Sequence, residues 1–436
     1  MEDFSSLLEA EFGLLSRRLR GMAMISRGIV PNLVISQRMV DRVVKAAQSY
    51  IADETGETMV GLVVDTDEPE TMPMLYVLDT ILPDESTIRR SHMFETGDEM
   101  QQDIFFWLLE NWNAYQTIGR DMSGNEIREE WKVDLKHLGD WHKQPGFMIQ
   151  PSGGDLMTAL RIMDDAENGF DFLLVPIVTL GHPSVTSEVG ATVNYFTIPQ
   201  DDGTSLRMDW WYIHRDVRVF QPISPKIVGY DDLPELTPYP WHILHGDLLN
   251  EEIGLLQEDN KWLTAPNAIF WESDNKLPLE ICFIVGTANS HDVFLVITDW
   301  DYPKTQPRIR MSDFGGVDPT QYIADVFAAL WDKSKPAPDT PDFKWDAEES
   351  YIVDYLAVIE KKMGIRPDGI PMPWERQSNA VSIAVDVEGE ESNDTAPADG
   401  VSASSDGKVE KTEPVAEVES DDDEKTETDE TEEEIT

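Results

Sequence analysis

Three prolines, Pro234, Pro238 and Pro240, fall within seven residues of one another. Proline fixes its own φ, has no backbone N–H and drives the preceding residue out of the helical region, so no helix or central strand can run through such a stretch. The segment 231–240 (DDLPELTPYP) is therefore expected to be a linker between two globular regions, 31–230 and 241–375.

The charge is uneven along the chain. Of a net −50, the segment 386–436 carries −18, from 21 acidic residues against three lysines, and the rest carries −32. Residues 376–436 hold no aromatic residue and are rich in Ser, Thr, Glu and Asp, too little apolar area to offset the entropy of ordering, so a disordered acidic tail is expected. The excess of acid disfavours nucleic acid, which is bound through Lys and Arg, and disfavours anionic membrane surfaces. Residues 1–30 contain no apolar run of the length a signal or membrane span needs, and Leu7, Leu8, Phe12, Leu15 and Leu19 suit an amphipathic helical extension. A soluble, cytoplasmic protein is the expectation. Cys282 is the single cysteine, which leaves no internal disulfide and no multi-cysteine zinc site.

Both regions read as α+β. In the first, 35–51 and 99–115 have helical spacing, while 58–64, 74–82, 172–180, 192–198 and 208–219 read as strands. In the second, 277–285, 293–298 and 308–311 read as strands, with helices over 320–331 and 348–362.

The segment 138–159 (LGDWHKQPGFMIQPSGGDLMTA) carries the chemistry. A strand should end at Pro145-Gly146, and His142 and Gln144, two apart, would share one of its faces. Ser152 and Asp155 stand where the next helix begins, and either can simply cap it. Taken together, His142, Gln144, Pro145, Ser152 and Asp155 fit all five positions of His-x-His-Pro-x6-Ser-x2-Asp, four of them in identity. The chain resembles the JAMM (JAB, MPN+) metallopeptidases, whose signature this is, and residues 33–225 follow that family's order of elements.

The resemblance implies a JAB/MPN (cytidine-deaminase-like) mixed-sheet domain. It implies a zinc-dependent hydrolase of peptide or isopeptide bonds acting on a ubiquitin-like or sulfur-carrier-like protein. Zinc takes imidazole and carboxylate donors and keeps one position for water. By resemblance, His142, Asp155 and residue 144 are the metal ligands, Ser152 steadies the oxyanion, and a glutamate on an earlier strand moves the proton. That glutamate is Glu54, which starts a match to Glu-Thr-Gly-Gly-x-Leu-x-Gly through Thr55, Gly56 and Gly61, or Glu57, which adjoins the strand. Gln144 replaces the family's second histidine, and an amide carbonyl is a weaker zinc ligand than imidazole. Three readings stay open: a metal-free binding scaffold; zinc held by His142, Asp155, Gln144 and water; or a substitute ligand, with His92 the first candidate.

The second region contains Tyr302-Pro303-x-x-x-Pro307 after two strands, which resembles the RWD and ubiquitin-conjugating-enzyme superfamily. A conjugating enzyme needs a cysteine after this motif, and none follows. Cys282 lies in an apolar strand and reads as a small hydrophobe. The pair His242 and His245 lacks a third ligand nearby and reads as packing or surface.

Overall fold

The computed structural model describes residues 29–66, 71–91, 93–95, 99–122, 124–183, 193–263, 268–287, 292–366 and 369–375. His92, nearly all of the N-terminal extension, and the tail 376–436 lie outside these residues.

Ser36 sets the start of the first region. Its buried hydroxyl accepts from Met39 N at 3.1 Å and donates to Leu78 O at 2.9 Å, so one side chain both caps a helix and ties it to a strand. Strand β1 (Asn32–Ser36) thus turns directly into helix α1 (Gln37–Ser49), which buries Met39, Val40, Val43 and Ala47. β1 inserts in parallel between β3 (Met74–Ile81) and β13 (Pro225–Val228), and β3 runs antiparallel to β2 (Gly56–Val64). Next to β2 lies β6 (Leu135–Lys143), again antiparallel. Among the described residues these belong to an eleven-stranded mixed sheet.

β6 changes partner halfway along. Gly139 pairs in parallel with Leu174 of β7 (Phe172–Leu174), whereas His142 and Lys143 pair in parallel with β8 (Ile177–Pro183). The stretch 172–180, expected as one strand, is divided into β7 and β8 at Val175 and Pro176, where β6 changes partner. Gly139 has φ +129°, and a Cβ there would stand 2.0 Å from Leu174 O. The β2–β6 register shifts at the same level, between Met59 and Val60. A glycine is needed where backbone approaches backbone this closely.

The two faces of the sheet are covered differently. α1 packs on Leu75, Val77, Met59, Leu138 and Trp141. The opposite face gives Val60, Leu62, Leu78 and Ile81 to helix α2 (Glu99–Ile118) through Ile104, Trp107, Leu108 and Trp112. Helix α3 (Gly153–Asp164) seats Ala159 and Met163 against Leu173 and Ile213.

Among the described residues the second region is built on a six-stranded antiparallel sheet. In its strand β16 (Glu280–Thr287), Ile281, Phe283 and Val285 face the core that contains α2, while Cys282 and Ile284 face helix α6 (Ile323–Lys333). This is period-two burial of both faces of one strand. Leu279 N donates to Asn111 Oδ1 at 2.8 Å and Trp107 meets Phe270 edge-on at 5.0 Å, so α2 is packed into both regions. Buried Tyr302 donates to Glu252, which also accepts from Ile352 N at 3.0 Å and so joins the proline loop to two helices.

Gly139→Ala is expected to destabilise the protein by more than about 2 kcal/mol, because the new methyl meets a ladder carbonyl. Gly119→Ala, with positive φ but open space, should cost only about 1 kcal/mol. Denaturant midpoints of the two variants measure the difference.

Candidate functional site

The site is organised by the pairing of β2 with β6. Gly56 stands opposite His142, and Glu57 stands opposite Trp141. Directly opposed residues share a face and neighbours along a strand alternate, so His142 and Glu57 lie on opposite faces of the sheet. Gly56 leaves room beside the histidine: a Cβ there would be 3.1 Å from His142 Cβ and 2.9 Å from the Phe94 ring. That ring belongs to the hairpin of β4 (Ile88–Arg90) and β5 (Met93–Glu95).

On the His142 face three side chains converge. His142 Nε2 lies 3.4 Å from Asp155 Oδ1. Gln144 Nε2 lies 3.1 Å from His142 Nε2 and 3.1 Å from Asp155 Oδ2. Alternation along β6 delivers the histidine and the glutamine, and the start of α3 delivers the aspartate. Backbone bonds to the neighbouring strand, His142 N to Pro176 O at 3.1 Å and Gln144 N to Val178 O at 2.9 Å, hold both in place.

The capping reading of Ser152 and Asp155 is realised as well. Ser152 Oγ accepts from Asp155 N at 3.2 Å, and Asp155 Oδ2 accepts from Ser152 N at 2.5 Å, a reciprocal capping box. Asp155 therefore serves the helix end and the convergent cluster with the same carboxylate. Trp211 Nε1 donates to Ile149 O at 3.0 Å and steadies the loop between β6 and α3.

The two glutamates are placed differently. Glu57 is 1% exposed and accepts from Thr80 Oγ1 at 2.5 Å and from Trp141 Nε1 at 3.4 Å, on the α1 side of the sheet. The structure does not bring it to His142. Glu54 is half-buried, two residues before Gly56, and its N–H donates to Arg90 O at 2.9 Å. Lys143 N bonds Thr55 O at 2.7 Å, which carries the ladder one residue beyond β2. The Glu54 charge acts on Lys143, the neighbour of His142 along β6.

Burial shapes the charges. Desolvation pulls the His142 pKa below its ordinary value against the opposing pull of Asp155 and Asp140, which favours a neutral ring able to accept or to ligate. Asp140 is a residue the motif passes over, although Asp140, His142 and Gln144 alternate at i, i+2 and i+4. Burial opposes its charge, but His137 at 3.2 Å and the Thr58 hydroxyl at 2.8 Å outweigh that and hold its carboxyl below the usual range. Desolvation also lowers Lys143, while Asp53 and Glu54 favour its charged form.

No protein-family model and no curated protein matches the chain. The donor chemistry must therefore be judged on the residues themselves. Donors about 2.1 Å from a tetrahedral zinc stand about 3.4 Å apart. The separations among His142, Gln144 and Asp155, 3.1 to 3.4 Å, are of that size. The buried Gln144 Oε1 has no hydrogen-bond partner, and a half-turn of the amide would exchange it with Nε2. One imidazole, one carboxylate and one amide oxygen are a set that fits a divalent cation. Among the described residues no group of three or more His, Cys, Asp or Glu is placed to hold a metal.

Other candidates are accounted for by packing. His242 touches Trp107, Trp241 and Phe270, and burial lowers its pKa to about 4. Cys282 is fully buried and desolvation pushes its thiol well up, so it is not a nucleophile.

Glu57 gives a pH prediction. Desolvation raises its pKa from the ordinary 4.5 to about 7, so the folded protein holds this proton more tightly than the unfolded chain. Below pH 4.5 both states are protonated and nothing is lost. Between 4.5 and 7 the unfolded state ionises first and stability falls as pH rises, by up to about 3 kcal/mol. Desolvation raises Asp79 beside it and adds in the same sense. Glu57→Gln should flatten this slope and be more stable than the parent at pH 8. Urea denaturation from pH 4 to 8 checks it.

Proposed function

We propose that the chain is a JAMM-type, zinc-dependent hydrolase of peptide or isopeptide bonds. The observation that carries this reading is the convergence of His142 Nε2, Asp155 and the Gln144 amide at mutual distances of 3.1 to 3.4 Å. His142, Asp155 and Gln144 Oε1 would hold the metal. When bound, zinc supplies an acidified water and polarises the scissile carbonyl.

The chain's own groups do the rest. Glu54, two residues before Gly56, would take a proton and return it to the leaving nitrogen. The Ser152 hydroxyl accepts from Asp155 N and keeps its own proton to donate to an oxyanion. Phe147, Met148 and Met157 stand exposed about the loop and the first turn of α3, an apolar surround for an extended protein tail. No helix among the described residues is long and apolar enough to cross a membrane. A ubiquitin-like or sulfur-carrier-like protein with a basic docking face suits the acidic surface, and its binding should weaken as salt rises. The second sheet, which resembles an RWD module by its Tyr-Pro-x-x-x-Pro loop, would position such a partner without thioester chemistry.

A second reading has its own observation. Gln144 Nε2 already bridges His142 and Asp155, so the cluster is closed without metal and suits a non-enzymatic binding scaffold. Metal analysis of zinc-reconstituted protein separates the two. The hydrolase requires one zinc per chain, lost in His142→Ala and in Asp155→Asn. It also requires that Glu54→Gln keep zinc while cleavage of an isopeptide-linked ubiquitin-like substrate falls roughly a hundred- to ten-thousandfold. Zinc-free protein after reconstitution leaves only the scaffold.

A further inference from the structure

Gln144 is 5% exposed and both of its amide hydrogens are used, one toward His142 Nε2 and one toward Asp155 Oδ2, each at 3.1 Å. Two consequences follow from this arrangement. First, Oε1 is left buried without a hydrogen-bond partner. A buried polar atom in that condition is costly. Second, His142 Nε2 must be the unprotonated ring nitrogen to accept from the amide. It then faces Asp155 Oδ1 at 3.4 Å with no proton between them, lone pair to lone pair. The metal-free triangle therefore has two satisfied edges, one electron-rich edge and one stranded carbonyl.

Turning the amide over reverses the pattern. Oε1 would then join Nε2 and the carboxylate, and three acceptors would converge on one point. That state is unfavourable alone and favourable around a divalent cation. We propose that the Gln144 amide is a two-position latch, nitrogen-inward when the site is empty of metal and oxygen-inward when a divalent cation is bound. The inference rests on the metal-site reading above and adds how that site is regulated. A neutral histidine at this position could bring at most one donor to the vacant site, whereas glutamine carries two. The vacant site is then bridged by two hydrogen bonds, and a cation must displace both to enter. Each is worth about a factor of 2 to 12, so together they weaken metal binding roughly 4- to 140-fold.

The test uses the full chain with ¹⁵N-labelled glutamine and histidine side chains, followed by NMR in EDTA and during titration with zinc chloride. In EDTA, one glutamine NH₂ pair, absent in Gln144→Glu, should be protected from solvent exchange, and His142 should be protonated at Nδ1. As zinc shifts His142 Nε2, that pair should lose protection at least tenfold in step. Gln144→Glu should bind zinc more tightly than the parent, and its thermal midpoint should fall in EDTA and rise in zinc by more than the parent's. Rapid exchange of the pair in EDTA, unchanged protection once His142 is saturated, or a His142 resonance indifferent to zinc would each overturn the latch. Its fate separates from that of the hydrolase. Amide turning without peptide cleavage keeps the latch and removes the enzyme, and zinc-dependent cleavage with the amide unmoved does the reverse.

Discussion

The register between β2 and β6 is the constraint from which the rest follows. It sets Gly56 against His142 and Glu57 against Trp141. A slip of one residue would exchange the two faces, placing Glu57 beside the histidine and burying the histidine under α1. The register is held where the ladder is irregular, at the shift between Met59 and Val60 and at Gly139, whose missing side chain lets Leu174 come close. One ladder thus separates two polar groups: His142, Gln144 and Asp155 on one side, and Glu57, Thr80 and Asp79 on the other.

Part of this was legible in the sequence. The i, i+2 spacing of His142 and Gln144 and the Ser-x-x-Asp cap are local, and local rules place them. The paired cap and cluster roles of Asp155 were both visible as alternatives and turn out to coexist. That Glu57 faces away from His142 was not legible, because it depends on the register of β2 against β6. Residues 35–51 have helical spacing, yet the segment begins as the end of β1, since parallel partners from β3 and β13 claim Leu33 to Ser36. Such distant pairing leaves no trace in a short window. Asp140 escaped notice because a buried aspartate declares itself only through its partners, here His137 and Thr58.

The second sheet shows the same division. Strand positions and the loop from Tyr302 to Pro307 follow from apolar runs and proline chemistry. The role of α2 does not. Residues 99–115 read only as a helix, whereas Trp107 and Asn111 reach the second region and Trp112 reaches Val133 O at 2.8 Å. Aromatic rings with a polar edge suit such a position, since they bury a large area and still satisfy an N–H.

The proline stretch is fastened along its length. Arg38 donates to the carbonyls of Tyr230, Leu233 and Pro234, Trp107 Nε1 donates to Pro238 O at 2.8 Å, and Tyr239 donates to Thr80 O at 2.8 Å. Thr80 also holds Glu57. A strap clamped at this many points behaves as a splint rather than a tether. The second sheet is then held at a fixed bearing to His142, like a caliper set to one width.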